Sequence, residues 1–251
     1  MMINKWVKFF AVVLIIFFTV QIQTFAQQAQ QPAQQPVKKE ADTTKKDNPR
    51  DEYTSANRPE ENYLARFQAL EVAEKLTREN LEDIFTIKII ITNFSDQGWS
   101  KDYDNIYAQY KRGVSLYYRR DVVYSRTELE KNRQAISDLY KKMAAMYKKQ
   151  ADDMLEKCAD KILDFSLDEK NQFDPNRSKV LFNNMMRLWI AYGQIDDAEK
   201  ARIDGLYKYA ILHLRLTKTY AISILEDLDP ESRGKYDIHK ADDSNRLAAG
   251  K

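Results

Sequence analysis

Residues 125–165 read SRTELEKNRQAISDLYKKMAAMYKKQADDMLEKCADKILDF, and the spacing of their apolar side chains decides the fold class. Ile136, Tyr140, Met143, Tyr147, Ala151, Met154, Cys158, Ile162 and Phe165 follow one another at steps of three or four residues. The mean step is about 3.6, the period that lines side chains up on one face of an α-helix. Lys, Asp, Glu and Gln occupy the other faces, and no Gly or Pro interrupts the chain between Gly113 and Pro175. Ser125 and Glu128 have capping-box spacing, with Tyr124 and Leu129 placed for a hydrophobic staple. The spacing therefore predicts one helix over 126–165, roughly 60 Å long at 1.5 Å per residue. So long a one-sided stripe needs covering, either by helices of the same chain or by a partner in a dimeric coiled coil. A period of 3.6 rather than 3.5, with Tyr and Cys in the seam, favours the first.

Working outward, both flanks read as further helices. On the N-terminal side Pro59 suits the first position of a helix carrying Tyr63, Phe67, Leu70, Leu76, Leu81, Ile84 and Phe85. Residues 77–80 mark a break, with Asn80 as a new cap. The β-branched run 87–92 has strand propensity, but no partner strand is visible, so it is assigned to a helix end. Residues 93–99 form a loop, and Tyr103, Ile106, Tyr107, Tyr110, Val114 and Tyr117 make the next stripe. On the C-terminal side Asp174-Pro175 is a cap plus first-turn proline. The helix it opens carries Val180, Leu181, Met185, Leu188, Trp189 and Tyr192 and ends at Gly193. Asp196 or Asp197 caps a last helix with Leu206, Tyr209, His213, Leu216, Tyr220 and Ile224 as its stripe, stopped by Asp229-Pro230. The reading is all-α: an elongated multi-helix domain over 58–230 with one helix of about 40 residues.

The ends have a different character. Residues 1–26 combine Lys5 and Lys8, an apolar run at 9–20 and Thr24-Phe-Ala26, the layout of a cleaved export signal. The run is short for a membrane span of about 20 residues, so no stable span is expected after cleavage; an uncleaved anchor is the alternative. Cleavage removes two lysines and leaves 38 basic and 38 acidic residues, which gives no electrostatic case for nucleic acid. Residues 27–57, rich in Gln, Pro, Lys and Asp, read as a disordered polar linker. Residues 231–251 read as a mobile polar tail.

No motif for catalysis, cofactor binding or metal binding is present. Cys158, the one cysteine, lies on the apolar stripe and reads as a small buried hydrophobe. His213 sits on a helix stripe and His239 in the tail, neither in a metal-ligand spacing. Abundant carboxylates at helical spacing read as solvated faces, with a carboxylate-pair hydrolase as the sharper alternative. The unusual feature is aromatic. Six tyrosines fall between 103 and 124, and Tyr joins an apolar body to a polar tip. Some serve the core. As an interaction surface, the partner-binding candidates are Trp99, Tyr107, Tyr110, Tyr117, Tyr118 and Tyr124.

Two resemblances bear on function. Gly193-Gln-Ile-Asp-Asp-Ala198 resembles the turn between the helices of a tetratricopeptide repeat, but no 34-residue period recurs, so a regular repeat array is not expected. The whole layout is similar to that of the flagellar-coiling proteins of spirochaetes: an export signal, a polar linker, Tyr-rich long helices and a charged tail such as Lys235-Tyr-Asp-Ile-His-Lys240. That resemblance implies a periplasmic, all-helical, non-enzymatic structural protein. Its partners would be flagellar filament or sheath proteins, and its task to help set filament curvature and motility. It assigns no site residues. A periplasmic helical scaffold or protein-binding module is the alternative. Export has a direct check: intact-mass analysis of the native protein should show a chain beginning near Gln27, and full-length chain in the cytoplasm would refute it.

Overall fold

The computed structural model describes residues 50, 53–54, 58–168 and 174–249. The expected signal segment 1–26 and nearly all of the expected linker 27–57 lie outside them. Six α-helices and no strand occur among the described residues: α1 Tyr63–Asn93, α2 Ser100–Tyr118, α3 Val122–Leu167, α4 Pro175–Ile203, α5 Tyr207–Leu228 and α6 Asp237–Asp243. The chain is all-α and not a repeat array.

The predicted long helix is α3, of 46 residues. Its stripe from Ile136 to Ile162 is buried along the whole length, and Phe165 is half-buried. Helices of the same chain cover it. One core cluster joins Ile136, Tyr140, Met143 and Tyr147 to Ile84, Ile87 and Ile90 of α1 and Ile106 and Tyr110 of α2. A second joins Met154, Leu155, Cys158 and Ile162 to Ala191 of α4 and Ala221, Ile222 and Leu225 of α5. Cys158 is buried and free, its thiol pushed up to about 12 by burial.

The helix starts at Val122, earlier than the capping box predicts. Ser125 does not cap it; its hydroxyl donates to the Gly113 carbonyl of α2 at 2.8 Å. Glu128 accepts from the Tyr53 hydroxyl at 2.5 Å and from Lys131 at 3.0 Å. The two residues that spacing assigns to a local cap are thus engaged in tertiary bonds. At Gly113 α2 and α3 approach closely: a Cβ there would sit 2.9 Å from Leu129 Cγ.

Asn80 likewise starts no new helix. It is buried in the middle of an unbroken α1, and its side-chain amide donates to the Leu129 carbonyl and to Asn132 Oδ1 at 3.0 and 3.1 Å. Asn132 in turn donates to the Ile106 carbonyl of α2 at 2.8 Å. A buried amide that finds partners on two other helices sets their register, because any slip would leave it unsatisfied. The cap of α1 is Asn62, whose side chain accepts from the Ala65 amide at 2.7 Å, four residues beyond the position implied by Pro59.

Toward the C-terminus, Asp174 caps α4 as expected, accepting from the Asn176 amide at 2.9 Å. The predicted stop at Gly193 does not occur. α4 continues to Ile203, and the tetratricopeptide-like stretch 193–198 is helix interior. The turn falls at Gly205, whose φ of 74° is the left-handed value that favours glycine. The inner face of α5 is also not the predicted one. Ala210, Ile211, Leu214, Ala221, Ile222 and Leu225 are buried; of the predicted stripe Leu206, Tyr209 and Leu216 are exposed, while Ile224 is buried and Tyr220 packs against the second cluster.

The stretch from 231, read as a mobile tail from its polarity, is packed. Its short helix α6 buries Asp242 completely, and Ala248 is buried beside Asn93, whose side chain accepts from the Ala248 amide at 3.0 Å. The folded unit therefore extends past 230.

Met143 and Met154 sit on the covered face of α3 and Lys149 on the exposed one. Met143→Ala or Met154→Ala should cost about 2–5 kcal/mol, and Lys149→Ala less than about 0.5 kcal/mol. Equal costs in urea unfolding would show that the assigned faces are wrong.

Candidate functional site

The aromatic candidates separate into interior and surface groups. Tyr124 is buried; its hydroxyl donates to Glu61 at 2.5 Å, Arg58 donates to it at 3.0 Å, and its ring meets Tyr53 edge-on at 4.9 Å. The Tyr124 hydroxyl is the main cause that holds the Glu61 carboxyl at about 2 despite partial burial, with Arg58, Arg66 and Arg50 adding to it. Tyr110 is buried and donates to the Thr77 carbonyl at 3.1 Å. Trp99 and Tyr117 are half-buried against the first core cluster. Only Tyr107, 40 % exposed, and Tyr118, 78 % exposed, present their rings to solvent. Tyr107 stacks on Tyr103 with 7° between planes, and Lys111 lies over its outer side 4.7 Å from the centroid. The six candidates therefore do not form one continuous surface. They share one helical neighbourhood, but two of them tie α2 and α3 to α1 and to the preceding chain.

A cleft of about 570 Å³ runs between α2 and α3, lined by Asp102, Asn105, Arg112, Glu128, Asp138 and Lys142 among others. Four of its charges are partnered within the chain. Lys142 meets Asp102 at 2.6 Å, and Arg112 meets Glu128 at 3.4 Å. Burial pushes the Glu128 carboxyl up, but the Tyr53 hydroxyl, Lys131 and Arg112 outweigh it and hold it low. A carboxylate held ionised by its neighbours is a structural ion pair and not a poised acid or base. Among the described residues no group of three or more His, Cys, Asp or Glu side chains is placed to hold a metal ion. No helix among them is long and apolar enough to cross a membrane.

Sequence reasoning missed two features. The first is a buried ionic centre between α3, α5 and α6. The Tyr147 hydroxyl donates to Asp242, Arg215 lies 3.2 Å from the Tyr147 oxygen and 3.3 Å from Asp242, and Lys218 meets Asp243 at 2.8 Å. Lys218 also sits 4.6 Å from the Tyr147 ring centroid and 3.4 Å from His239 Nδ1. Two cations against two carboxylates keep the buried cluster neutral, which is what permits its burial. The available signal was Arg215 and Lys218, three residues apart on the apolar inner face of α5. His213, by contrast, is half-buried and pairs with Gln194 at 2.9 Å.

The second is the outer face of α4. Phe182, Met185, Met186, Trp189 and Tyr192 are exposed there, while Ala191 and Ala198 face inward. Apolar side chains on both sides of α4 were the signal; spacing alone chose one stripe and assigned it to the core.

With this geometry in place, comparison with known proteins yields a family match. Residues 68–173 match the family described as surface protein adhesin OmpL37, to which the chain is similar over that stretch. The stretch covers α1 from its second turn, α2 and all of α3, and it stops one residue short of the Asp174 cap of α4. No curated protein and no solved structure matches the chain.

The ionic centre has a pH signature. Burial pushes Asp243 up to about 6 despite Lys218, so the folded chain holds a proton that the unfolded chain releases. Its contribution to stability is lost as pH rises from about 4 to 6. Burial, then Lys218, lower His239 to about 4, so its contribution is lost as pH falls from about 6.5 to 4. The two slopes oppose and should nearly cancel over that window. Relative to the unaltered chain, urea midpoints at about pH 4.5 and pH 6 should shift toward lower stability with rising pH in His239→Gln, and toward higher stability with rising pH in Asp243→Asn. Unchanged slopes in both variants would refute the assignment.

Proposed function

We propose that the chain is an exported, non-enzymatic protein that binds other proteins at the cell surface. The match of residues 68–173 to a surface adhesin family carries this reading. The matched stretch is the part of the fold in which α1 and α2 lie on α3, and it exposes Phe85, Tyr107 and Tyr118. Exposed aromatic rings on rigid helices are good anchors for a protein partner, since they present a large contact area with little side-chain freedom to lose. The export layout of residues 1–26 agrees with a surface location.

The flagellar-sheath reading remains the second hypothesis, favoured by the whole-chain layout. With Tyr110 and Tyr124 buried, its filament contacts would fall to Tyr107 and Tyr118, with Trp99 at the edge. A helical scaffold of the periplasm is the broader form of the same idea.

One set of experiments separates these readings. An antibody to the folded chain should label intact cells, and a deletion strain should adhere less well than its parent to protein-coated surfaces. Tyr107→Ala with Tyr118→Ala should weaken that adherence about tenfold without loss of helicity. Labelling only after the envelope is opened, with enrichment on isolated filaments, would replace the adhesin reading with the flagellar one. Labelling only in the soluble periplasmic pool would leave the scaffold.

A further inference from the structure

The outer face of α4 is apolar where a solvated helix would be polar. Trp189 is 72 % and Phe182 62 % exposed, with Met185, Met186 and Tyr192 beside them. Together these five side chains present on the order of 600 Å² of apolar and aromatic surface, at the top of the range for the largest patch of a typical monomer and most of the roughly 800 Å² that one partner contributes to a standard interface.

We propose that this face pairs with the same face of a second copy of the chain, α4 against α4, antiparallel about a two-fold axis between Met186 and Trp189. Three observations select this occupant. First, Gly193 lies inside α4 on the exposed side, and a Cβ added there would meet nothing within 4 Å. Glycine in a helix interior is unfavourable relative to alanine, and no packing within the chain calls for it here. It leaves a gap in the apolar face. Second, the midpoint in sequence of Phe182 and Gly193 coincides with that of Met186 and Trp189. A two-fold axis at that point brings Phe182 of each copy opposite the gap at Gly193 of the other. Third, Lys179 and Asp197 are about five helical turns apart and lie on the same edge of that face. The same axis sets Lys179 opposite Asp197 of the other copy, where it joins Lys200 on that carboxylate, with Asp196 beside it. Every contact then occurs twice, as an isologous interface requires. A parallel pair would instead set Lys179 against Lys179 and Phe182 against Phe182. The family match ends at residue 173, before α4, so the pairing does not rest on the adhesin reading.

Sedimentation equilibrium of the chain as exported, at concentrations up to roughly 100 µM, should give the mass of a dimer. Trp189→Lys should weaken association about 100-fold with helicity unchanged, because the side chain is exposed within the copy. Gly193→Leu should weaken association while raising the thermal stability of the dilute monomer, a pairing of effects that a merely structural glycine would not produce. Lys179→Asp should weaken it about tenfold, and Asp196→Lys with Asp197→Lys in the same chain should restore it. An equal mixture of Phe182→Cys and Gly193→Cys chains should cross-link to each other on oxidation, and neither chain to itself. A monomer over the whole concentration range overturns the proposal, whether the face is then covered by the chain's own N-terminal residues or by an unlike partner. So does a dimer indifferent to Trp189→Lys, and cross-linking of Phe182→Cys to itself overturns the antiparallel register.

Discussion

An apolar stripe that runs the length of a 46-residue helix cannot be covered by partners of ordinary length unless they come in two sets. That constraint organises the described chain. α1 and α2 cover the N-terminal part of α3, and α4 and α5 cover the C-terminal part, so that two clusters of buried side chains follow one another along a single helix. The sets are not sealed from each other: Ala198, Ile211 and Leu214 reach from α4 and α5 into the first cluster. The turn at Gly205 is a consequence, since α4 and α5 must run in opposite directions to lie side by side along α3.

Polar groups inside this arrangement set its register more than its strength. Asn80 and Asn132 tie α1, α2 and α3 at one level, and Asp83 ties α1 to α3 and α5 through Arg133 at 2.5 Å and Lys208 at 2.6 Å. At the level of Tyr147, the ionic centre of Arg215, Lys218, Asp242 and Asp243 draws the C-terminal stretch onto α3 and α5. A buried ion pair contributes little net stability against an apolar replacement, but removing one member leaves a charge with no water and no partner. The polar C-terminal residues are held because the cations of α5 need them.

Function follows from what these demands leave on the surface. Asp102 and Glu128 of the cleft are consumed by internal pairs, and two of the six aromatic candidates are consumed by hydrogen bonds to the interior. What remains for partners includes Phe85, Tyr107 and Tyr118 within the stretch similar to a surface adhesin family, and the outer face of α4 beyond it. The two surfaces lie on different sets of helices, so binding an outside protein and pairing with another copy need not compete for the same residues.

Period and punctuation along the chain were enough to determine the all-α class, the continuity of α3 with its buried face, the Asp174 cap and the stop at Asp229, because each is set by neighbours within a few residues. Tertiary structure decided the rest, most often because a residue's local option lost to a distant partner. Ser125 and Glu128 have cap spacing but bond to Gly113 and Tyr53. Asn80 has the chemistry of a cap but satisfies its amide on α3. Gly193 has the chemistry of a stop but lies inside a helix held by its packing on α5. α4 and α5 carry apolar residues on more than one side, and periodicity does not say which side meets α3; the small residues Ala191, Ala198, Ala210 and Ala221 face inward, where helices approach closely, and Phe182, Trp189, Tyr192 and Tyr209 stay outside. The C-terminal stretch looks mobile by composition because its carboxylates have no local partners, and their partners, Arg215 and Lys218, are brought to them only by the fold.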